Sequence, residues 1–224
     1  MLLIHTTNIQ TLLTSGLQDE RPLRFWTDDI RKDKIILDFC PLSLVLCLED
    51  YKQNPYIRIM KRIGLLSDTH GYLDPKIYEH FKDVDEIWHA GDVGDVAVID
   101  ELRKFKPVRG VYGNIDDYVV RREFPEFNRF MCEEVDVLIT HIGGKPGKYS
   151  KPAFDELEKG APKLFICGHS HILLVKMDPH YKMLWMNPGA CGYKGFHSVK
   201  TLLRFSITGD RIHDLEAIEI GKRI

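Results

Sequence analysis

Ile63-Gly64-Leu65-Leu66-Ser67-Asp68-Thr69-His70 is the stretch on which the fold turns. A short apolar run stops abruptly at a carboxylate and an imidazole two residues apart. In an extended segment, residues i and i+2 face the same side, so Asp68 and His70 are expected to present an oxygen and a nitrogen to one point just beyond a strand. One Asp-x-His pair means little by itself. Its weight comes from recurrence, because apolar runs downstream end the same way. Glu86–His89 leads to Asp92, Val108–Tyr112 to Asn114, Val135–Ile139 to His141, and Lys163–Cys167 to His169 and His171.

The segments between these runs read as helices and turns. Asp74-Pro75 offers a cap and a first-turn proline for a helix over about 75–81. Asp95 caps a second helix carrying Val98, Leu102 and Phe105 at helical spacing. Residues 121–133 are expected to hold one or two strands, 143–147 a loop, and 152–158 a short helix. The last third changes rhythm. Apolar runs flank Asp178-Pro179-His180 and then Thr208-Gly209-Asp210, two hairpin signals. Units of strand and helix followed by hairpins predict an α/β (α+β) domain, a two-sheet β-sandwich flanked by helices.

Residues 1–59 lack this regularity. Polar clusters alternate with one apolar run, and no helix or strand period persists. Met60-Lys61-Arg62 then precedes the first strand like a natural protein start. The expected organisation is an N-terminal extension over 1–59, poorly ordered or outside the native product, and a catalytic domain over 60–224. The other possibility is an extension that packs on that domain as a helix and a strand.

Composition narrows the class of function. The 224 residues are 44% hydrophobic and 29% charged with a formal net charge of −2, which gives no basic footprint for nucleic acid or an anionic membrane. Five cysteines, an odd number without paired spacing, favour a reducing compartment. Met1-Leu2-Leu3-Ile4 has no basic segment before it, and the run 35–48 contains Asp38 and Pro41 and is too short to span a bilayer. A cytoplasmic protein without a nucleic-acid or membrane partner is the expectation, with a homo-oligomer left open.

Ligands in open α/β sheets gather beyond the carboxyl ends of strands, so the strand-end side chains are expected to meet there. Glycines stand directly before Asp92, Asn114 and His169, where the chain must turn or approach closely. Asn187-Pro188-Gly189 ends a further run and could add a backbone wall. Four histidines, two aspartates and an asparagine are too many for one metal and suit two divalent ions sharing a carboxylate. A donor set of O and N without thiolate points to Mn first, with Ni, Fe, Co and Zn as alternatives.

These motifs, Asp68-x-His70, Gly91-Asp92, Gly113-Asn114, His141 and Gly168-His169-x-His171, resemble the signature of the calcineurin-like metallophosphoesterases over about residues 61–210. The compact length and the variant Gly113-Asn114-Ile115-Asp116 are most similar to the small YfcE-like phosphodiesterases. The resemblance implies one metal on Asp68, His70, Asp92 and His171, and another on Asp92, Asn114, His141 and His169, with Asp92 bridging. The expected reaction is hydrolysis of a small phosphorylated substrate by a bridging hydroxide, with no catalytic side chain assigned beyond that hydroxide. Many members carry a histidine after the Gly-Asn pair; here Ile115 can neither donate a proton nor bind a phosphate oxygen. Asp116 would then lack the partner it orients elsewhere. Where relatives often have serine after Asn-Pro-Gly, this chain has Ala190. Asn114, Lys194 and His197 are candidate substrate contacts.

Several residues have plainer explanations. Asp95 is expected to cap a helix, His89 to pack beside the site, and Cys167 to serve as a small core residue. His5, His80, His180 and His213 belong to no constellation. The rivals to a phosphodiesterase are a non-catalytic metal-binding scaffold resembling the retromer subunit of this fold, or a nuclease of the superfamily. A complete ligand set speaks against the first, the charge of −2 against the second.

Overall fold

The protein, described here by a computed structural model for residues 60–195 and 198–223, is built on two five-stranded sheets. The organisation expected for 1–59 lies outside the described residues. In the first sheet, β1 (Met60–Leu66), β2 (Glu86–Ala90) and β3 (Val108–Val111) run parallel. β11 (Val199–Thr208) adds antiparallel to β1, and β12 (Arg211–Lys222) antiparallel to β11. In the second, β5 (Val135–Thr140), β8 (Leu164–Ile166) and β10 (Met183–Pro188) are parallel. They are edged by antiparallel β4 (Phe127–Cys132) and β9 (Leu173–Asp178). Each sheet thus has a parallel centre, and parallel strands place their carboxyl ends on one side.

Alternation along the strands explains why two sheets form. Ile63 and Leu65 of β1, Trp88 of β2, Val137 and Ile139 of β5 and Phe205 of β11 join one fully buried cluster shared by both sheets. The alternate face of β1 and β2, through Leu66 and Ile87, packs on helices. Those helices are α1 (Lys76–His80), α2 (Val96–Phe105) and α3 (Tyr118–Glu123), which contribute Ile77, Ile99, Leu102 and Val120 to the second cluster. On the far side of the second sheet, α4 (Lys151–Glu158) lays Ala153 and Leu157 on Leu138, Phe165 and Trp185. Each such apolar side chain taken fully from water contributes about 1.5–3 kcal/mol. Alternate residues of the central strands therefore serve different cores, and the layered sandwich follows.

Residues 121–133 hold one strand, as expected, together with the end of α3, which Asp117 caps by accepting from Val119 N and Val120 N. One expectation about local structure is corrected. The expected loop over 143–147 carries a small two-stranded ribbon, β6 (Gly144–Lys145) and β7 (Lys148–Tyr149), around Pro146-Gly147. Asp95 caps α2 through Ala97 N, as its position suggests. Among the described residues, no helix is long and apolar enough to cross a membrane.

Candidate metal centre

The segments leaving β1, β2, β5 and β8 lock onto one another across the gap between the sheets. His141 Nδ1 meets Ala90 O at 2.8 Å, Gly168 N donates to His141 O at 3.1 Å, and His169 N donates to Asp68 Oδ2 at 3.2 Å. Gly113 and Gly168 make this closeness possible. A Cβ on Gly113 would stand 2.1 Å from Asp92 Oδ1, and one on Gly168 would stand 2.1 Å from Ser67 Oγ.

The convergence is real, but its local cause differs from the one expected. Asp68 and His70 do not lie on an extended strand; both have left-handed φ, 56° and 51°. His169 and His171 repeat the device at 65° and 57°, and Asp92 shares it at 53°. For residues with a Cβ this conformation is costly, and it persists only where surrounding contacts enforce it. Here Asp68 N donates to Gly91 O and His70 N to Asp92 O. Alternating left-handed residues thus fold Asp-x-His and His-x-His into matching hooks.

Two groups result. Asp68, His70 and His171 form one, Asp92, His141 and His169 the other, with potential donor atoms in each within 4.8 Å of one another. In the first, His171 Nε2 is 3.0 Å from Asp68 Oδ1 and 3.5 Å from His70 Nε2. In the second, His141 Nε2 is 3.2 Å from Asp92 Oδ1. The other oxygen of Asp92, Oδ2, lies 4.0 Å from His70 Nε2. Asp92 therefore turns one oxygen to each group. Asn114 is exposed, follows β3 beside Gly113, and lines a cavity together with His141. Lys194 is exposed and close enough for its charge to act on His70. His197 lies outside the described residues.

Whether these groups fit a cation can be tested on their buried atoms. Asp68 Oδ1 and His141 Nε2 are buried without a hydrogen-bond partner. Because His141 Nδ1 must donate to Ala90 O, Nε2 carries a lone pair in the neutral ring and faces the Asp92 carboxylate. Two acceptors in that position repel unless positive charge lies between them. Burial opposes charge on His141, yet Asp92 and Asp68 outweigh it and hold its pKa above the ordinary imidazole value. Burial would raise the Asp92 carboxyl, but His141, the Ile115 N–H and His70 keep it below the usual range. His70 and His169 are lowered, chiefly by burial, so both offer neutral rings. A cluster that keeps the Asp92 carboxylate ionised, leaves the His70 and His169 rings neutral and favours positive charge at His141 suits divalent ions.

Residues outside the two groups hold them in place. Asp116 lacks a histidine partner at 115, as expected, and is buried, accepting instead from Val93 N at 3.1 Å, Gly94 N at 2.6 Å and Gly113 N at 2.7 Å. It ties the loop of Asp92 to that of Asn114. The bond back to Gly113, three residues earlier, is the local signal that could have revealed this role. His89 Nδ1 accepts from Gly91 N, so its Nε2–H donates to Thr69 Oγ1, which in turn donates to Val93 O. Ser67 Oγ donates to Asp68 Oδ2 at 2.6 Å. Asn187 donates to Gly168 O and Ser170 Oγ and accepts from Gly189 N, so its side-chain amide braces the loop that carries His169 and His171.

Comparison with known proteins places these features in a family. The sequence profile of the calcineurin-like phosphoesterase superfamily domain matches residues 60–210. A probable metallophosphoesterase of Methanothermobacter thermautotrophicus is 32% identical over 134 residues, 57% of this chain and 76% of that protein. Among solved structures, an archaeal phosphodiesterase superposes with a TM-score of 0.56 at 22% identity, covering 71% of this chain and 99% of that one. Vacuolar protein sorting 29 of Cryptosporidium parvum gives 0.56 at 16% identity, covering 73% and 99%. These two structures share the two-sheet architecture described above. Profile match, archaeal relative and strand-end clusters agree, and the chain belongs to the calcineurin-like phosphoesterase superfamily.

Proposed function

We propose that this phosphoesterase-family chain is a metal-dependent phosphodiesterase working with two divalent ions, manganese first among them. One observation carries the reading: Asp92 directs its two oxygens toward two separate His/Asp groups, 3.2 Å from His141 Nε2 and 4.0 Å from His70 Nε2. Asp68, His70, Asp92 and His171 would hold one ion, and Asp92, Asn114, His141 and His169 the other. When bound, such a pair supplies Lewis acidity toward phosphate oxygens and activates a water near neutral pH.

The chain's own residues then shape the reaction. Asp116 and the Ile115 N–H fix Asp92, the latter by donating to Oδ1 at 3.1 Å. The Ile115 side chain is 45% exposed and brings no proton to a departing oxygen. Lys194 adds positive potential on the His70 side, where an anionic substrate would be drawn. Without an acid at 115, esters with acidic leaving groups are favoured. The space left by a missing histidine favours a diester over a monoester. The scaffold alternative has support from the likeness to vacuolar protein sorting 29, but two separate groups of aspartate and histidine donors favour catalysis.

The test combines metal content by inductively coupled plasma mass spectrometry with hydrolysis of bis(p-nitrophenyl) phosphate. Two ions per chain and metal-dependent turnover are expected. Bound metal without turnover under any of Mn, Ni, Fe, Co or Zn would favour the scaffold instead.

A further inference from the structure

Beside Asn114 and His141 opens a cavity of about 370 Å³, within the range of roughly 300–1,000 Å³ usual for small-molecule sites. Its wall combines the rings of Tyr112 and Phe127 with two charged ends, Arg121 and Glu126. Both charges are held in place. Arg121 Nε donates to Asp116 O at 2.8 Å, and its guanidinium lies over the Tyr112 ring, 4.8 Å from the centroid. The hydroxyl of that same Tyr112 donates to Glu126 Oε2 at 3.2 Å. Among the described residues, the terminal nitrogens of Arg121 and Oε1 of Glu126 have no hydrogen-bond partner.

Charge decides which substrate arm suits such a wall. An anionic arm gains at Arg121 what it loses at Glu126. An aliphatic arm strips water from two charges and returns nothing to either. A planar ring with an acceptor edge and a donor edge satisfies both. A guanidinium fork pairs with adjacent ring acceptors such as guanine O6 and N7, and a carboxylate accepts from ring N–H groups. Aromatic walls add a flat apolar surface against which a base can lie.

We propose that this cavity seats the second ester arm of the substrate and that the arm is a nucleoside, with guanine the best-matched base. The assignment rests on the phosphodiester function proposed above. Two esters with the same leaving group test it: guanosine 5′-(p-nitrophenyl phosphate) and methyl p-nitrophenyl phosphate. The protein should prefer the guanosine ester by about 10-fold or more in kcat/KM, carried mainly by KM. Glu126→Gln keeps an acceptor for Tyr112 but loses the carboxylate. It should lower kcat/KM for the guanosine ester about 10-fold more than for the methyl ester. Guanosine 5′-monophosphate should bind in equilibrium dialysis and weaken by a similar factor in the same variant. Equal kcat/KM for the two esters, or equal losses on both, overturns the assignment while leaving the phosphodiesterase intact. Absence of hydrolysis of either ester under every metal removes the proposed function. Dialysis then decides the cavity alone, and binding that is absent or indifferent to Glu126→Gln overturns it.

Discussion

Asp116→Asn is the substitution that best separates the scaffold of the site from its ligands. The Asp116 carboxylate accepts three backbone N–H bonds, from Val93 and Gly113 to Oδ2 and from Gly94 to Oδ1. An asparagine can keep its oxygen toward Val93 and Gly113, but its amide then faces the Gly94 N–H at a position where that donor sat 2.6 Å from an acceptor. Losing one charge-assisted bond costs about 1.5–3 kcal/mol, and the two remaining bonds weaken as the charge goes. A total of about 2–4 kcal/mol is expected, a large part of the stability of a domain this size. Urea unfolding of the metal-free protein measures it directly. Because Asp116 ties the Asp92 loop to the Asn114 loop, the variant should also bind metal more weakly, which the gain in midpoint on adding manganese reports. A loss below about 0.5 kcal/mol with an unchanged manganese effect would refute the clamp.

Three further outcomes follow from the same geometry. Ile115→His should flatten the dependence of rate on leaving-group pKa, since general-acid help is worth about 10²–10⁴-fold and matters most for poor leaving groups; a wild-type rate already insensitive to leaving group, with chemistry rate-limiting, would mean another acid is present. Burial lowers the pKa of His89 from 6.5 to about 4, so the folded state takes up its proton later than the unfolded chain. Stability from this group is full above pH 6.5 and is lost as pH falls toward 4, by roughly 3 kcal/mol. His89→Gln should shrink that acid-side loss in urea midpoints between pH 7 and 4.5, and an unchanged slope would contradict it. A chain beginning at Met60 should fold, bind metal and turn over substrate like the full chain; insolubility or lost metal would show that residues 1–59 contribute to the core.

The class of fold and the meeting of the strand ends were legible because both rest on short-range patterns. Continuous apolar runs in β1 and β2 and their abrupt endings at Asp68 and Asp92 can be read without tertiary knowledge. α3 was not foreseen because Tyr118-Val119-Val120 is aromatic and β-branched, while the Asp117 cap that starts the helix is a single residue. Asp and His tolerate the left-handed conformation of the hooks at Asp68, His70, His169 and His171. What holds it, such as the bonds from Asp68 N to Gly91 O and His70 N to Asp92 O, comes from a distant strand end and cannot be read from the sequence. The clamping role of Asp116 was hidden for a related reason. Its three partners are backbone N–H groups, two of them in a loop more than twenty residues away, and main-chain donors are invisible in a sequence.

The central claim is that one carboxylate serves both groups, and metal stoichiometry tests it most directly. The wild type, Asp92→Ala and Asp95→Ala are each loaded with manganese, freed of excess and measured for ions per chain. Asp95 only caps α2, so its variant should keep two ions and nearly full activity. Asp92→Ala should fall below one ion per chain and lose activity by about 100-fold or more, because both groups lose a ligand at once. Two ions retained in Asp92→Ala, or equal losses in the two variants, would contradict the shared carboxylate.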